Sequence, residues 1–280
     1  MEGKDTESTE KWSLVVKSNS NTFGLHLSDV WRYRDLVMMF VRRDFVSFYK
    51  QTILGPIWFF VQPLLTTIMF MVVFGGIAQL PTDGIPGALF YLSGLTVWNY
   101  FANSFAKTSG TFISNSGIFG KVYFPRLTVP VSIVISNIYS FLIQFGLFLL
   151  FIAYFVIFKG LHLELNIYIL LLPLLMLIMG GFGLGFGIII SSLTTKYRDL
   201  SYLVPFGTQL LMYLTPVIYP LSMLAGKKRL IVLANPMSSV IEAFRYAFFP
   251  RGQFNWMHLA YSGGFMLVVL FIGILLFNRV

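Results

Sequence analysis

The chain has 280 residues, with 20 Lys and Arg against 11 Asp and Glu; it is 56% apolar, only 11% charged, and has a mean hydropathy of +0.76. A soluble domain carries about 25% charged residues, which excludes a water-facing globular fold, and the net charge of +9 gathers beside apolar runs instead of forming a nucleic-acid-binding face. Cysteine is absent, which removes disulfides and thiolate metal sites.

Six intervals contain no Asp, Glu, Lys or Arg: 51–82, 84–106, 127–158, 165–195, 200–226 and 252–278, each at least 23 residues long. About 20 apolar residues cross a bilayer as a helix, and a charge at the centre of such a helix costs roughly 2.5–3.5 kcal/mol. The expected fold is an all-α integral membrane protein with six transmembrane helices, an N-terminal amphipathic interface helix, and external re-entrant helices between spans five and six.

In chain order, residues 1–27 read as a polar tail without an apolar core of signal-peptide length, which leaves the N-terminus in the cytoplasm. Over 28–49, Val30, Tyr33, Val37, Phe40, Val41 and Phe48 recur at helical spacing, with Arg32, Asp35, Arg42 and Arg43 largely opposite. Asp44 interrupts this stripe, and Ser28 is a candidate N-cap. A basic helix of this kind lies along the cytoplasmic membrane surface; a solvated helix of a small soluble domain is the competing reading. Gly55-Pro56 gives the chain a corner at which to turn into the first span, 56–77, which Trp58 and Phe59 open.

The second span, 89–106, is entered through Tyr91 and Trp98, whose amphipathic rings suit the interface. Segment 107–126 carries three cations and no anion, with a short apolar pattern at Phe112, Ile113, Ile118 and Phe119; the positive-inside rule makes it a stubby cytoplasmic helix offered to a partner. After a third span at 127–158, the fourth, 167–192, contains Gly180, Gly181, Gly183, Gly185 and Gly187. This run is not a nucleotide fingerprint, and small residues that let helices approach closely account for it. No Gly-x4-Gly-Lys-Ser/Thr motif occurs, so this chain carries no phosphate-binding loop of its own.

The fifth span, 200–219, is broken by Pro205 and Pro216, and Tyr202, Phe206, Gln209 and Tyr213 share one of its faces. That face suits a wet pathway, and ordinary helix packing explains it equally well. Segment 221–251 holds two half-length apolar runs separated by Asn235-Pro236, too short to span and so interfacial or re-entrant. A sixth span at 256–277 returns the chain to the cytoplasm. Fourteen of the 20 Lys and Arg residues then lie on cytoplasmic segments; Lys159, Lys227, Lys228, Arg229, Arg245 and Arg251 do not, which suggests a folded external element.

No catalytic site is expected. His26, His162 and His258 sit in unrelated segments with no partner at metal-ligand spacing, so no metal is expected either. Carboxylates fall almost wholly outside the spans, which argues against coupling to protons or sodium and requires energy from elsewhere.

Several short segments carry a resemblance: Tyr49–Trp58 with Pro63, Phe74-Gly75, Tyr91–Trp98, Phe119–Arg126, Lys196–Asp199, Pro216–Pro220, and Asn235-Pro236 followed by Glu242–Arg245. In this order the chain resembles the type 2 ABC transporter permeases, specifically the exporters of polysaccharides such as O-antigen, teichoic acid and capsule, and most of all the Wzm-type O-antigen permeases. The resemblance implies a homodimeric permease docked on two ABC ATPase subunits, which bind the ATP and Mg; no cofactor belongs to this chain. It implies a polyprenyl-diphosphate-linked glycan as substrate and the bacterial inner membrane, with both termini cytoplasmic, as location. Arg42, Arg43, Lys50 and Arg126 are then candidates to meet the diphosphate, and Trp58, Phe59, Tyr202, Phe206, Gln209 and Tyr213 to line the sugar channel. Thr111, Phe112, Ile118, Phe119 and Lys121 belong to the ATPase-coupling segment. A type 2 exporter of a drug or small lipid is the alternative, and a membrane-embedded glycosyl-lipid enzyme a more distant one.

Overall fold

The structure is a computed structural model that describes residues 27–50, 55–119, 121, 123–162, 166–252 and 254–279. The N-terminal tail up to residue 26 and the boundary residues Gln51–Leu54 lie outside the described residues, as does the side chain of Ser28. All regular elements among the described residues are helical.

The amphipathic segment forms two helices, α1 (Leu27–Arg32) and α2 (Arg34–Lys50), with a turn at Tyr33 where an unbroken helix was expected. Val37, Phe40 and Val41 are buried, and α2 packs against the long helix α6 (Thr128–Lys159). A 3₁₀ turn at Gly55–Ile57, where Gly55 has φ +50°, leads into α3 (Trp58–Phe70). Pro63 inside α3 lacks an N–H, and the next turn is reinforced by Thr66 and Thr67 hydroxyls donating to the carbonyls of Gln62 and Pro63 at 2.9 and 2.7 Å. The helix then widens into π-helical turns over Met71–Ile77, ending at Gly75-Gly76-Ile77.

Helix α4 (Gly87–Ser109) lies at the centre and packs against α3, α6, α7 (Leu172–Thr194), α8 (Leu200–Tyr213) and α10 (Pro236–Phe248). The glycines of α7 set two of these contacts. A Cβ on Gly183 or Gly187 would lie 2.5 or 2.4 Å from the Cβ of Ser104 or Thr108 on α4. On the opposite side, Gly185 meets Val269 and Leu270 of α11 (Trp256–Asn278) in the same way. Small residues therefore allow α4, α7 and α11 to approach backbone to backbone.

Helix α8 is 14 residues long, about 21 Å at 1.5 Å per residue, and stops at Tyr213, short of the expected end of the span at 219. Pro205 stays within it, while Pro216 biases Thr215 away from helix and contributes to the stop. Two further helices follow in the segment of half-length runs, α9 (Gly226–Ala234) and α10. Asn235 separates them: its side chain accepts from Met237 N at 3.1 Å as the N-cap of α10, with Pro236 at the first helical position. By length and composition, Trp58–Ile77, Thr128–Lys159, Ile167–Thr194 and Trp256–Asn278 are each apolar enough to cross a membrane. Among the described residues the molecule is thus a helical membrane protein with four such helices; α3, α6 and α7 pack against the more polar α4, and α11 packs on α7 and α10.

Candidate functional site

The longest side chains of α8 face outward. Tyr202 is 83% exposed, Phe206 63% and Tyr213 45%, and Gln209 between them is exposed too. Their spacing puts all four on one face, while Val204 and Thr208 turn into the bundle. Trp58, at the first position of α3, is 41% exposed, and Phe59 beside it is half-buried. Both α3 and α8 pack against α4, so the two aromatic groups flank the same central helix. An exposed face alternating rings with hydroxyl and amide groups can lie flat against sugar rings while bonding to their hydroxyls.

A buried arginine fixes the loop that follows this face. Arg245, only 2% exposed, reaches from α10 into the bundle. Its Nη1 donates to the carbonyl of Pro216 at 2.5 Å and its Nη2 to that of Val217 at 2.7 Å. Nη2 also reaches the Phe90 carbonyl at 3.3 Å, and Nε reaches Ser93 Oγ at 3.4 Å, both on α4. Glu242, one turn back on α10, lies 3.5 Å from Nη1. The planar fork of five donors is what makes this possible; lysine has the charge without the geometry. Glu242 is the buried anion beside this cation and offsets part of the cost of burying it. A Cβ at position 94 would sit 2.7 Å from Nη2 and 3.1 Å from the Val217 carbonyl, so only glycine fits there. Asn235 adds a second tie, donating to Thr215 Oγ1 at 2.8 Å.

Arg245 and Arg251, both left off the basic segments, tie separate parts of the chain together, one buried and one at the surface. Arg245 is the clamp, and Arg251 Nη1 donates to the Gly84 carbonyl at 2.6 Å. Sequence reading placed both in a folded external element but named no partner for either. The signal available was their place beside or within apolar runs, Val240–Phe249 above all, but their partners lie on other elements.

The basic candidates divide. Arg42, Arg43 and Lys50 line a shallow groove of about 410 Å³ on α2, together with Met39 and Val46. Arg126 is exposed in the turn before α6 and is not among the groove's lining residues. Arg43 is also engaged, contacting Asp44 Oδ1 at 2.9 Å through Nε and lying over the Phe40 ring at 4.8 Å.

Helix α5 (Thr111–Phe119) carries the candidate coupling residues. Thr111 is buried, its hydroxyl bonded to the Thr108 carbonyl at 2.7 Å, and the backbone is kinked at Asn115. Phe112, Ile118 and Phe119 are half-buried and turned towards the bundle; Ile113, Ser114, Ser116, Gly117 and Lys121 are exposed. Phe112 stacks on Phe277 of α11 with centroids 4.5 Å apart, and meets Phe119 at 5.6 Å. Phe119 stacks on Phe124 at 5.6 Å, which contacts Phe40 of α2 at 5.8 Å. A line of rings thus joins α2, α5 and the end of α11. Among the described residues, no group of three His, Asp or Glu is placed to hold a metal ion.

The family described as ABC-2 type transporter matches residues 35–249. An O-antigen export system permease protein of Klebsiella pneumoniae is 29% identical over 247 residues, covering 88% of this chain and 92% of the relative. An O-antigen export system permease protein of Myxococcus xanthus is 26% identical over 79% of this chain and 83% of its own length. A polysialic acid transport protein of Escherichia coli is 25% identical over 80% and 85%.

Proposed function

This chain belongs to the ABC-2 type transporter family, and on that premise we propose that it is the membrane permease of an ATP-driven exporter of lipid-linked polysaccharide. The substrate is O-antigen-like, and it moves from the cytoplasmic to the external side of a bacterial inner membrane. The observation that carries this reading is the similarity to an O-antigen export permease along 88% of this chain and 92% of the relative.

Two copies form the pore, and separate ATPase subunits bind ATP and Mg; the missing phosphate-binding loop is consistent with that division. Besides the four long apolar helices, α4 crosses the membrane shielded by its neighbours, and α8 crosses together with the loop that Arg245 holds. Helices α9 and α10 dip in from the external side, and both termini are cytoplasmic. The exposed face of α8 and the start of α3 line the path of the glycan, where flat rings let a polymer slide without a fixed register. Helix α5 meets the ATPase, and the row of rings from Phe40 to Phe277 spreads its movement to α2 and α11. Arg42, Arg43, Lys50 and Arg126 draw the diphosphate to the cytoplasmic face, where guanidinium and ammonium groups suit phosphate oxygens.

Deleting the gene in its own host tests the reading. Lipid-linked glycan should accumulate inside the cell while the surface glycan disappears, and re-expression of the chain should reverse both. Normal surface glycan in the deletion strain would contradict it.

A further inference from the structure

Helix α9 carries two kinds of side chain on one outward face. Lys227, Leu230, Ile231 and Ala234 stand at helical spacing and are all exposed, Leu230 by 68% and Ile231 by 60%, with Lys228 exposed at the edge. Val232 is buried and Leu233 half-buried on the other side. The cations occupy the first turn and the apolar pair the second, so the face changes character along the helix axis. Water suits the first turn and not the second.

Contacts at the two ends of α9 give its depth. Tyr168 and Trp256 stand at the start of the apolar helices Ile167–Thr194 and Trp256–Asn278, with ring centroids 6.0 Å apart. Phe254 lies against both, at 5.0 and 5.1 Å, and amphipathic rings clustered at the ends of spans mark a membrane boundary. Ahead of α9, Ser222 donates to Asp83 Oδ1 at 2.6 Å, in the loop before α4 and outside the spans. After α9, the Ala234 carbonyl accepts from Tyr261 at 3.1 Å and the Pro236 carbonyl from Ser262 at 2.6 Å. Tyr261 lies about 7.5 Å along α11 from Trp256 at 1.5 Å per residue. Helix α9 therefore descends from the level of the loop to below the ring cluster. Lysines first and aliphatic side chains second is the order in which a bilayer passes from headgroups to hydrocarbon.

The charge on this face is not matched within the fold. The ion pairs among the described residues hold Arg34, Arg43 and Arg245, and neither Lys227 nor Lys228 is in one. Of the carboxylates described at this end, Asp83 receives Ser222, and Glu242 is buried beside Arg245. A second copy meeting this face with the same patch would set ammonium against ammonium. Phosphate headgroups complement the lysines, and the acyl region below them covers the aliphatic pair.

We infer that α9 is a lipid-surface anchor: Leu230 and Ile231 enter the acyl region, and Lys227 and Lys228 hold the phosphates of anionic phospholipids at its surface. The inference takes its leaflet, the outer one, from the permease reading; the lipid contact itself does not depend on what is exported. Asn235, next after α9, holds Thr215, and Arg245 of α10 holds Pro216 and Val217. The anchor therefore sets the height of the loop that follows α8.

Fluorescence quenching by spin-labelled lipid reads the site locally. The full-length chain, labelled with a fluorophore at Ile231→Cys, is reconstituted in phosphatidylcholine vesicles containing doxyl-phosphatidylglycerol or doxyl-phosphatidylcholine at equal content. Both lipids should quench, and phosphatidylglycerol should be favoured about fivefold or more, the worth of one lysine near an anionic surface. The Lys227→Gln/Lys228→Gln pair should bring the two lipids to parity, while the Lys227→Arg/Lys228→Arg pair keeps the preference. High salt should weaken it. The same label at Leu150→Cys, 64% exposed in the charge-free part of α6, should show no preference. No quenching at position 231 by either lipid would mean that a second copy or water covers this face, and would overturn the anchor. Parity with both lysines present, or a preference that survives the Gln pair, would overturn their role as phosphate ligands. None of these readings requires transport, so a failure of the export reading leaves them standing.

Discussion

The guanidinium carbon of Arg245 lies 3.8 Å from the centroid of the Phe90 ring, face to face across α10 and α4, two residues 155 positions apart in the chain. The same guanidinium is bonded to the Pro216 and Val217 carbonyls, so one side chain joins three separate parts of the fold. Removing it takes a buried cation from beside Glu242 and leaves the Pro216 and Val217 carbonyls without this donor. Loss of one partner of a buried pair costs roughly 3–5 kcal/mol. Arg245→Met should therefore lower the thermal midpoint in detergent by many degrees, and Arg245→Lys should recover only part of the loss because a single ammonium cannot serve carbonyls on two sides. Glu242→Gln, which keeps a hydrogen-bonding group at the site, should be the mildest of the three. Thermal unfolding followed by size-exclusion chromatography ranks them.

Glycine positions give a second, steric test. Gly94→Ala brings a Cβ within 2.7 Å of Arg245 Nη2 and 3.1 Å of the Val217 carbonyl, and Gly187→Ala within 2.4 Å of Thr108 Cβ. Overpacking of this kind costs about 1–3 kcal/mol. Gly146→Ala on α6 meets nothing within 4 Å, so it should be neutral or stabilise by about 0.5–1 kcal/mol as alanine replaces glycine in a helix. Equal melting of all three variants would show that the close approach of α4, α7 and α10 is not as described.

Side chains exposed on α8 should separate function from stability. Tyr202→Ala and Phe206→Ala remove rings that are 83% and 63% exposed, so each should change folding stability by no more than about 0.5 kcal/mol. Export should nevertheless fall, and more in the double variant than in either single one. The check is surface glycan per molecule of permease in the membrane. Full export by the double variant would remove α8 from the glycan path.

The ring contacts of α5 predict uncoupling. Phe119→Leu loosens the stack on Phe124 while keeping an apolar side chain, and Phe112→Leu loosens the one on Phe277. Assembly with the ATPase should persist in both, with ATP turnover maintained and export reduced several-fold. Co-purification and ATPase assays alongside export distinguish this from simple loss of docking.

Absence of cysteine makes the topology directly measurable. A single Lys228→Cys variant, at an exposed position in α9, should react with a membrane-impermeant maleimide applied to the external side. Reaction only from the cytoplasmic side would invert the proposed orientation.

Much of the helical framework was legible because lipid forbids unpaired charge: the charge-free interval 127–158 is matched by Thr128–Lys159, and 252–278 contains Trp256–Asn278. The glycines of α7 were legible as packing residues for a related reason, since nothing else explains five in eight positions of a helix. The clamp was not. Arg245 sits one turn from Glu242 in a short apolar run, and local pattern places both in a folded external element without naming a partner; only the fold brings Phe90, Pro216 and Val217 to Arg245. Asp44 lay between these cases. Its clash with the stripe of α2 marked it as unusual, but the reason, a polar crevice shared with Lys107, comes from α4 and α6. The break at Tyr33 had no sequence marker, because no Gly or Pro stands there.

The most direct test of the central claim is transport by purified components. Proteoliposomes containing this chain and its ATPase partner, loaded with lipid-linked glycan on the ATP-accessible face, should expose that glycan to an impermeant lectin on the opposite face only when ATP is hydrolysed. Undecaprenyl diphosphate without sugar should compete for the transporter. Glycan that stays on the face where it was loaded, despite active ATP hydrolysis by the assembled complex, would contradict the account.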